Sequence, residues 1–280
     1  MSRKTKKRIS TAIRVVIMAF FLLLVVLPVY WMVITSFKTS AEVLDLQNIS
    51  YFPRKFTLEN YAGLFSQYDY SVLLKNSLMV SVTSALVVTF FSMFGGYSLA
   101  RFQFKGKQTV VLFFLITQMI PAILVIIPVY VAFSRMGLVN SYLGLFVYYV
   151  ACNLPFCAIT MRSFFERIPV TLEEAAKIDG CSRMQALFKV VFPIMFPGIV
   201  SVFVFGFIGA WNELIAGTIF ISTPDMWTIP VGLKTLIGKY NVEWGMLTAG
   251  GVMALLPTAV MFAVMQKFIV EGLTSGAVKE

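Results

Sequence analysis

The sequence predicts an all-α integral membrane protein with six transmembrane helices, and three observations carry that prediction. Hydrophobic residues make up 59% of the 280 positions and charged residues only 13%, whereas soluble domains carry about 25% charged residues. The apolar residues fall in long blocks that reach the roughly 20 residues a spanning helix needs. Basic residues gather at the edges of those blocks, so the net charge of +10 reads as membrane flanking and not as a nucleic-acid footprint.

Six spans follow in order, at 13–36, 77–100, 109–133, 142–161, 195–221 and 248–269. The opening MSRKTKKR and its apolar run have the shape of a secretory signal, but Val15 to Ile34 is long and Thr35-Ser36-Phe37-Lys38 is a poor cleavage site. The segment is therefore read as a retained signal-anchor. Pro121 and Pro128 in the third span are read as kinks. The resulting organisation is a basic N-terminus, first helix and outer loop over 1–70, a five-helix core over 71–270, and a tail over 271–280.

Counting Lys and Arg sets the orientation. With the N-terminus inside, the inner segments hold sixteen basic residues and the outer segments seven, which places both termini in the cytoplasm. The outer loop 37–70 carries Tyr51-Phe52-Pro53 and Tyr61. The outer loop 222–247 is apolar for a loop and carries Trp227, Pro230, Gly232 and Trp244. It is read as an interfacial aromatic belt, with a re-entrant or partner-contacting hairpin as the alternative.

The inner loop 162–194 is long for a plain helix connection. Thr171 followed by Glu174 has the capping-box spacing that starts a helix. Gly180 sits where a helix end takes a left-handed residue. Ser182 with Gln185 repeats the capping-box spacing, Ala186-Leu187-Phe188-Lys189 continues a second helix, and Pro193 precedes the next span. A helix, a glycine turn and a helix result.

This stretch resembles the EAA loop of ABC importer permeases. That pattern runs EAA, three residues, Gly, nine residues, then I-x-L-P, and it is met here by Glu174-Ala175-Ala176, Gly180, Val190, Phe192 and Pro193. Val and Phe replace Ile and Leu and keep the positions apolar. Lys75-Asn76-Ser77-Leu78 at the second span and the ending Glu271 to Lys279 are similar to the carbohydrate-uptake branch, the family of the maltose permease. The resemblance covers essentially the whole chain. It implies the type I importer permease fold with a cytoplasmic coupling helix, in a bacterial plasma membrane. Glu174, Ala175, Ala176, Asp179 and Gly180 would contact a separate ATP-binding cassette ATPase. The other implied partners are a second permease subunit, different from this one, an extracytoplasmic solute-binding protein and membrane lipid; nucleic acid is not among them. The chain is expected to bind no cofactor, ATP being used by the partner ATPase.

Other chemistries lack their residues. Histidine is absent, which removes Ser-His-Asp catalysis and HExxH zinc sites. Cys152, Cys157 and Cys181 show no zinc or disulfide spacing, and the first two read as buried apolar thiols. The string from Gly232 to Gly238-Lys239-Tyr240 has the wrong spacing for a phosphate-binding loop and lacks Ser or Thr after Lys.

Glu213 is the acidic residue that falls well inside a span, where an ionisable group is costly. On a continuous helix it shares a face with Gly206, Gly209, Ala210, Ala216 and Gly217, opposite Phe207, Ile208, Trp211 and Ile215. It is placed toward the translocation pathway, or in a structural pairing with another helix, and Trp211 toward lipid or a neighbouring helix. Asn212 and Asn153 are further pathway candidates, although Asn153 beside Pro155 equally suits backbone groups freed by the proline. A secondary transporter or channel would need several ionisable groups in the spans, and a membrane enzyme a catalytic pair; neither set is present.

Overall fold

The structure is a computed structural model that describes residues 3–238 and 241–274. Lys239, Tyr240 and the ending from Ser275 to Glu280, including Lys279, lie outside the described residues. Among the described residues the regular elements are helical, apart from a bridge between Ile237 and Val242. Among the described residues five helices are long and apolar enough to cross a bilayer, and the count is six when one bent pair is taken as a single span. The chain forms two compact units.

The first unit joins the chain up to Tyr70 with Leu233–Leu255. Helix α1 (Arg3–Ser36) has 34 residues, about 51 Å at the usual rise, so it exceeds the hydrocarbon thickness of about 30 Å. It stands exposed from Ser10 to Val29, as a lipid-facing helix must. Two short helices follow, α2 (Ser40–Leu44) and α3 (Glu59–Gln67). Between them the loop folds back along α1. The Tyr30 hydroxyl donates to the Tyr51 carbonyl at 2.7 Å, Trp31 meets the Tyr51 ring edge-on, and Phe37 stacks on Phe56. The Asn60 amide closes the loop by donating to the carbonyls of Ser36 and Lys38. These rings gather at the end of a spanning helix, where an amphipathic aromatic girdle belongs.

The second unit is Ser71–Gly232 with the chain from Leu256 onward. Helix α4 (Tyr70–Arg101) begins seven residues before the expected 77. Asn76 and Ser77, polar enough to look like a loop, are buried inside the helix with partners of their own. The third span is not one kinked helix. It is α5 (Lys107–Met119) and α6 (Ala122–Arg135), turned by 101°. The residue before a proline avoids the helical region, and Ile120 is extended at φ −80°, ψ 121°. Pro128 lies within α6 without ending it.

Helix α7 (Tyr142–Arg167) is capped by the Ser141 hydroxyl, which accepts from the Gly144 amide, and runs six residues past the expected end at 161. After it come α8 (Thr171–Ile178), α9 (Arg183–Ala186), a π turn over Leu187–Val191 and α10 (Phe192–Trp211). The expected second loop helix is therefore not separate: Arg183 to Trp211 is continuous. Pro193 lacks an amide hydrogen and crowds the preceding turn. The wide π turn ahead of it, in which the Phe192 amide donates to Leu187, absorbs that defect.

The fifth span then breaks at 212–214 and resumes as α11 (Ile215–Phe220), so the continuous face expected from Gly206 to Gly217 does not exist. α12 (Ile229–Thr235) and α13 (Trp244–Thr274) complete the described residues. Apolar cores pack the described residues of the second unit. One, near α8, joins Tyr97, Cys157, Met161, Phe165, Leu187, Val191 and Met195. Another, at the opposite end, joins Val80, Ile126, Tyr148, Tyr149, Ala210 and Phe220.

Candidate coupling site and membrane break

Helix α8 is held at both ends by backbone chemistry. Gly180 has φ +84°. Its amide donates to the Lys177 carbonyl and the Cys181 amide donates to Ala176, the paired bonds of a Schellman turn. Ser182 and Gln185 form the reciprocal capping box that starts the next helix. The Thr171–Glu174 box does not form. Pro169 and Val170 already make the first turn, with the amides of Leu172 and Glu174 donating to their carbonyls, so Thr171 is the first helical residue and not the cap.

The sequence-predicted residues divide by face. Glu174, Ala175, Asp179 and Gly180 are exposed, and so is Ile178 at 87%. Ala176, by contrast, is buried, so the helix seats on its own chain through this side. Glu173, which motif reasoning passed over, is also buried on this side. The Arg101 Nε donates to its Oε1 at 2.6 Å and the Tyr97 hydroxyl to its Oε2 at 2.8 Å. The Arg101 Nη2 also donates to the Ile168 carbonyl at the end of α7, at 2.8 Å. A sequence signal existed: Glu173 and Ala176 are three apart and share one helical face.

The opposite end of α4 has its own polar junction. The Asn76 amide donates to the carbonyls of Asp225 and Trp227 and accepts from the Tyr142 hydroxyl at 2.8 Å. The Ser77 hydroxyl accepts from the Ile229 amide at 2.7 Å. The Asn-Ser pair noted at the second span thus holds the segment 225–229, and Trp227 is fixed through its backbone.

At the break in the fifth span, Glu213 caps α11. Its Oε1 accepts from the Ala216 amide at 2.8 Å, and its Oε2 from the Gly217 amide at 3.1 Å and the buried Tyr149 hydroxyl at 3.2 Å. Both carboxylate oxygens are occupied by protein donors. Asn212 ends α10 and is exposed. Asn153 donates to the Tyr149 carbonyl at 2.8 Å, one turn back, and not to the carbonyl four residues before Pro155. Its amide oxygen fills the space above Gly209, and Ala85 fills that beside Gly206. Gly206 and Gly209 thus allow close helix approach. Trp211 is buried and stacked on Phe207. Of the cysteines, Cys157 is buried as expected, but Cys152 faces outward from α7.

A sequence model of the binding-protein-dependent transport system inner membrane component matches residues 92–270. The chain belongs to that family. Its permease relatives align over nearly their whole length. One is an inner membrane ABC transporter permease protein of Escherichia coli, 34% identical over 94% of each chain. Another is the diacetylchitobiose uptake system permease protein of Streptomyces coelicolor, 33% identical over 91% of this chain and 92% of the relative. A third is the trehalose/maltose transport system permease protein of Thermococcus litoralis, 32% identical over 100% and 99%. A bacterial ABC transporter involved in alginate import superposes with a TM-score of 0.80 over 95% of this chain and 98% of its own, at 22% identity. The fold is therefore that of a type I importer permease, and the protein is a multi-pass inner-membrane permease component.

Proposed function

We propose that this permease is one membrane-spanning half of an ATP-driven importer for a sugar or oligosaccharide. The observation that carries the reading is α8. It is seated on its own chain through Glu173 and Ala176 and presents Glu174, Ala175, Ile178 and Asp179 outward. In a chain of this permease family, a short helix that is anchored on one side and turns charged and apolar residues outward on the other is the surface offered to partners, and paired ATP-binding cassette subunits are those partners. The substrate class is supported by relatives named for trehalose, maltose and diacetylchitobiose. A solute-binding protein delivers the sugar from outside and a second, different permease completes the pathway. ATP is bound by the ATPase and not by this chain, and both termini face the cytoplasm, as the basic-residue count requires. The pathway candidate is Asn212, exposed at the break, with Asn153 and Glu213 as its frame.

Purification of the tagged chain in mild detergent tests the assembly. An ATPase subunit and a second permease are expected to accompany it. Ile178→Glu, at an exposed position that leaves the fold intact, should lower the retained ATPase about tenfold, a change of 1.4 kcal/mol. A chain recovered alone would overturn the importer reading. Cells with and without the chain, given radiolabelled maltose, trehalose and diacetylchitobiose, test the substrate. Chain-dependent accumulation of one of them is expected, and accumulation of none would overturn the sugar assignment for these three probes.

A further inference from the structure

The carboxylate of Glu173 gathers elements that are far apart in sequence. Arg101 and Tyr97 reach it from the last two turns of α4, and the same guanidinium holds Ile168 at the end of α7. Both members of the ion pair are nearly fully buried, with side-chain exposures of 7% and 5%. Rings surround the junction. Tyr97 meets Phe165 of α7 and Phe102 edge-on, and the Arg183 guanidinium of α9 lies 4.5 Å from the Phe102 ring centre. α4, α7, α8 and α9 therefore share one node.

We propose that Arg101, Glu173 and Tyr97 are positioning residues that tie α8 rigidly to α4, so that displacement of α8 by the ATPase is delivered to the second span as well as to the fifth. The inference rests on the importer reading. α8 is already joined to α10 through the glycine turn and the capped continuous helix, so covalent continuity serves the fifth span. No such continuity leads from α8 to α4, which is separated from it in sequence by two spans. Apolar packing alone resists compression but slides under shear, because dispersion contacts are weak and non-directional. A carboxylate fixed by two directed, charge-assisted donors resists sliding. Stability is a poor reason for such a pair, since burying two charges costs about as much as their attraction returns and apolar replacements are often neutral or better. Restricting the geometry is what the ion pair adds.

The test uses the assembled complex, with Cys152, Cys157 and Cys181 replaced by Ala and nitroxide labels at Phe91→Cys on α4 and Thr171→Cys on α8, both exposed positions. The 91–171 distance is read without nucleotide and with ATP plus orthovanadate. In the parent chain it should be the same in both states. In the paired variant Arg101→Met with Glu173→Leu, whose core remains apolar and filled, the ATPase should still be retained and hydrolyse ATP. The distance should then change with nucleotide by about 2–5 Å, the range of helix shifts and one-turn ratchets. A distance that stays fixed in the assembled paired variant would overturn the tie. So would a parent distance that moves with nucleotide, and this arm stands alone should the paired variant fail to assemble. If no ATPase accompanies the parent, the importer reading itself fails, and the coupling role of the tie with it.

Discussion

The two ends of α4 solve the same problem with different chemistry. At the α8 end a charged residue, Arg101, meets a charged partner, Glu173, and both are buried. At the opposite end a neutral amide, Asn76, and a hydroxyl, Ser77, satisfy backbone groups of 225–229. Neutral hydrogen bonds to backbone fix the shape of a segment whatever its side chains are, and no charge is left behind when one breaks. An ion pair depends on the identity of both residues and penalises separation heavily. The first suits a static clasp, the second a joint that must transmit motion without coming apart.

That contrast predicts a graded response to mutation. The largest effect belongs to Arg101→Ala, which strands the Glu173 carboxylate in the core and should cost about 3–5 kcal/mol. Thermal denaturation of the detergent-solubilised chain, followed by size-exclusion fluorescence, checks it; a loss no greater than that at Asn76 would erase the distinction between the ends. Asn76→Ala removes the donor to the Asp225 and Trp227 carbonyls and the 2.8 Å acceptor of the Tyr142 hydroxyl, which keeps its 3.4 Å contact with the Asp225 carbonyl, and should cost about 2 kcal/mol. The same melting curve measures it, and proteolysis in the 222–232 segment should quicken while α8 stays protected. Glu213→Gln keeps one acceptor oxygen but must give up at least one bond at the α11 cap, for about 1 kcal/mol. Unchanged uptake in this variant would remove the carboxylate charge from any transport role. A comparably small effect belongs to Gly180→Ala: the added methyl meets no atom within 4 Å, so only the left-handed backbone resists it, at about 1 kcal/mol. Asn at this position should recover part of that loss.

What was legible in the sequence was local or periodic. The spans follow from composition, and the Gly180 turn and the Ser182–Gln185 box from rules that act within a few residues. The Thr171 box was misread because two residues before it, Pro169 and Val170, compete for the same first turn. The break at 120–121 left no mark on hydropathy, which records how apolar a segment is and nothing of its direction, and Asn212-Glu213 marked a polar point in the fifth span without showing that the helix ends there. Pro121 announced a kink but not its 101°. Glu213 was found for the right reason, its cost in a span, yet its partners lie on α7 and on a helix whose existence depends on the break. Glu173 was hidden beside Glu174, since only the fold brings Arg101 within reach of the one and leaves the other in the open.

The π turn over Leu187–Val191 has a mechanical consequence. By keeping the helix whole across Pro193, it makes the 29 residues from Arg183 to Trp211 a single rod, about 43 Å long at the usual rise. A rod of that length is a lever. Tilting it by about 5° about one end sweeps the other through about 4 Å, roughly three-quarters of a helical turn. The swept end is Trp211, next to the exposed Asn212 and the capped break at Glu213. A small rotation near the glycine turn is thereby magnified where the span is already divided, and a kink at Pro193 would have spent that rotation about a third of the way along.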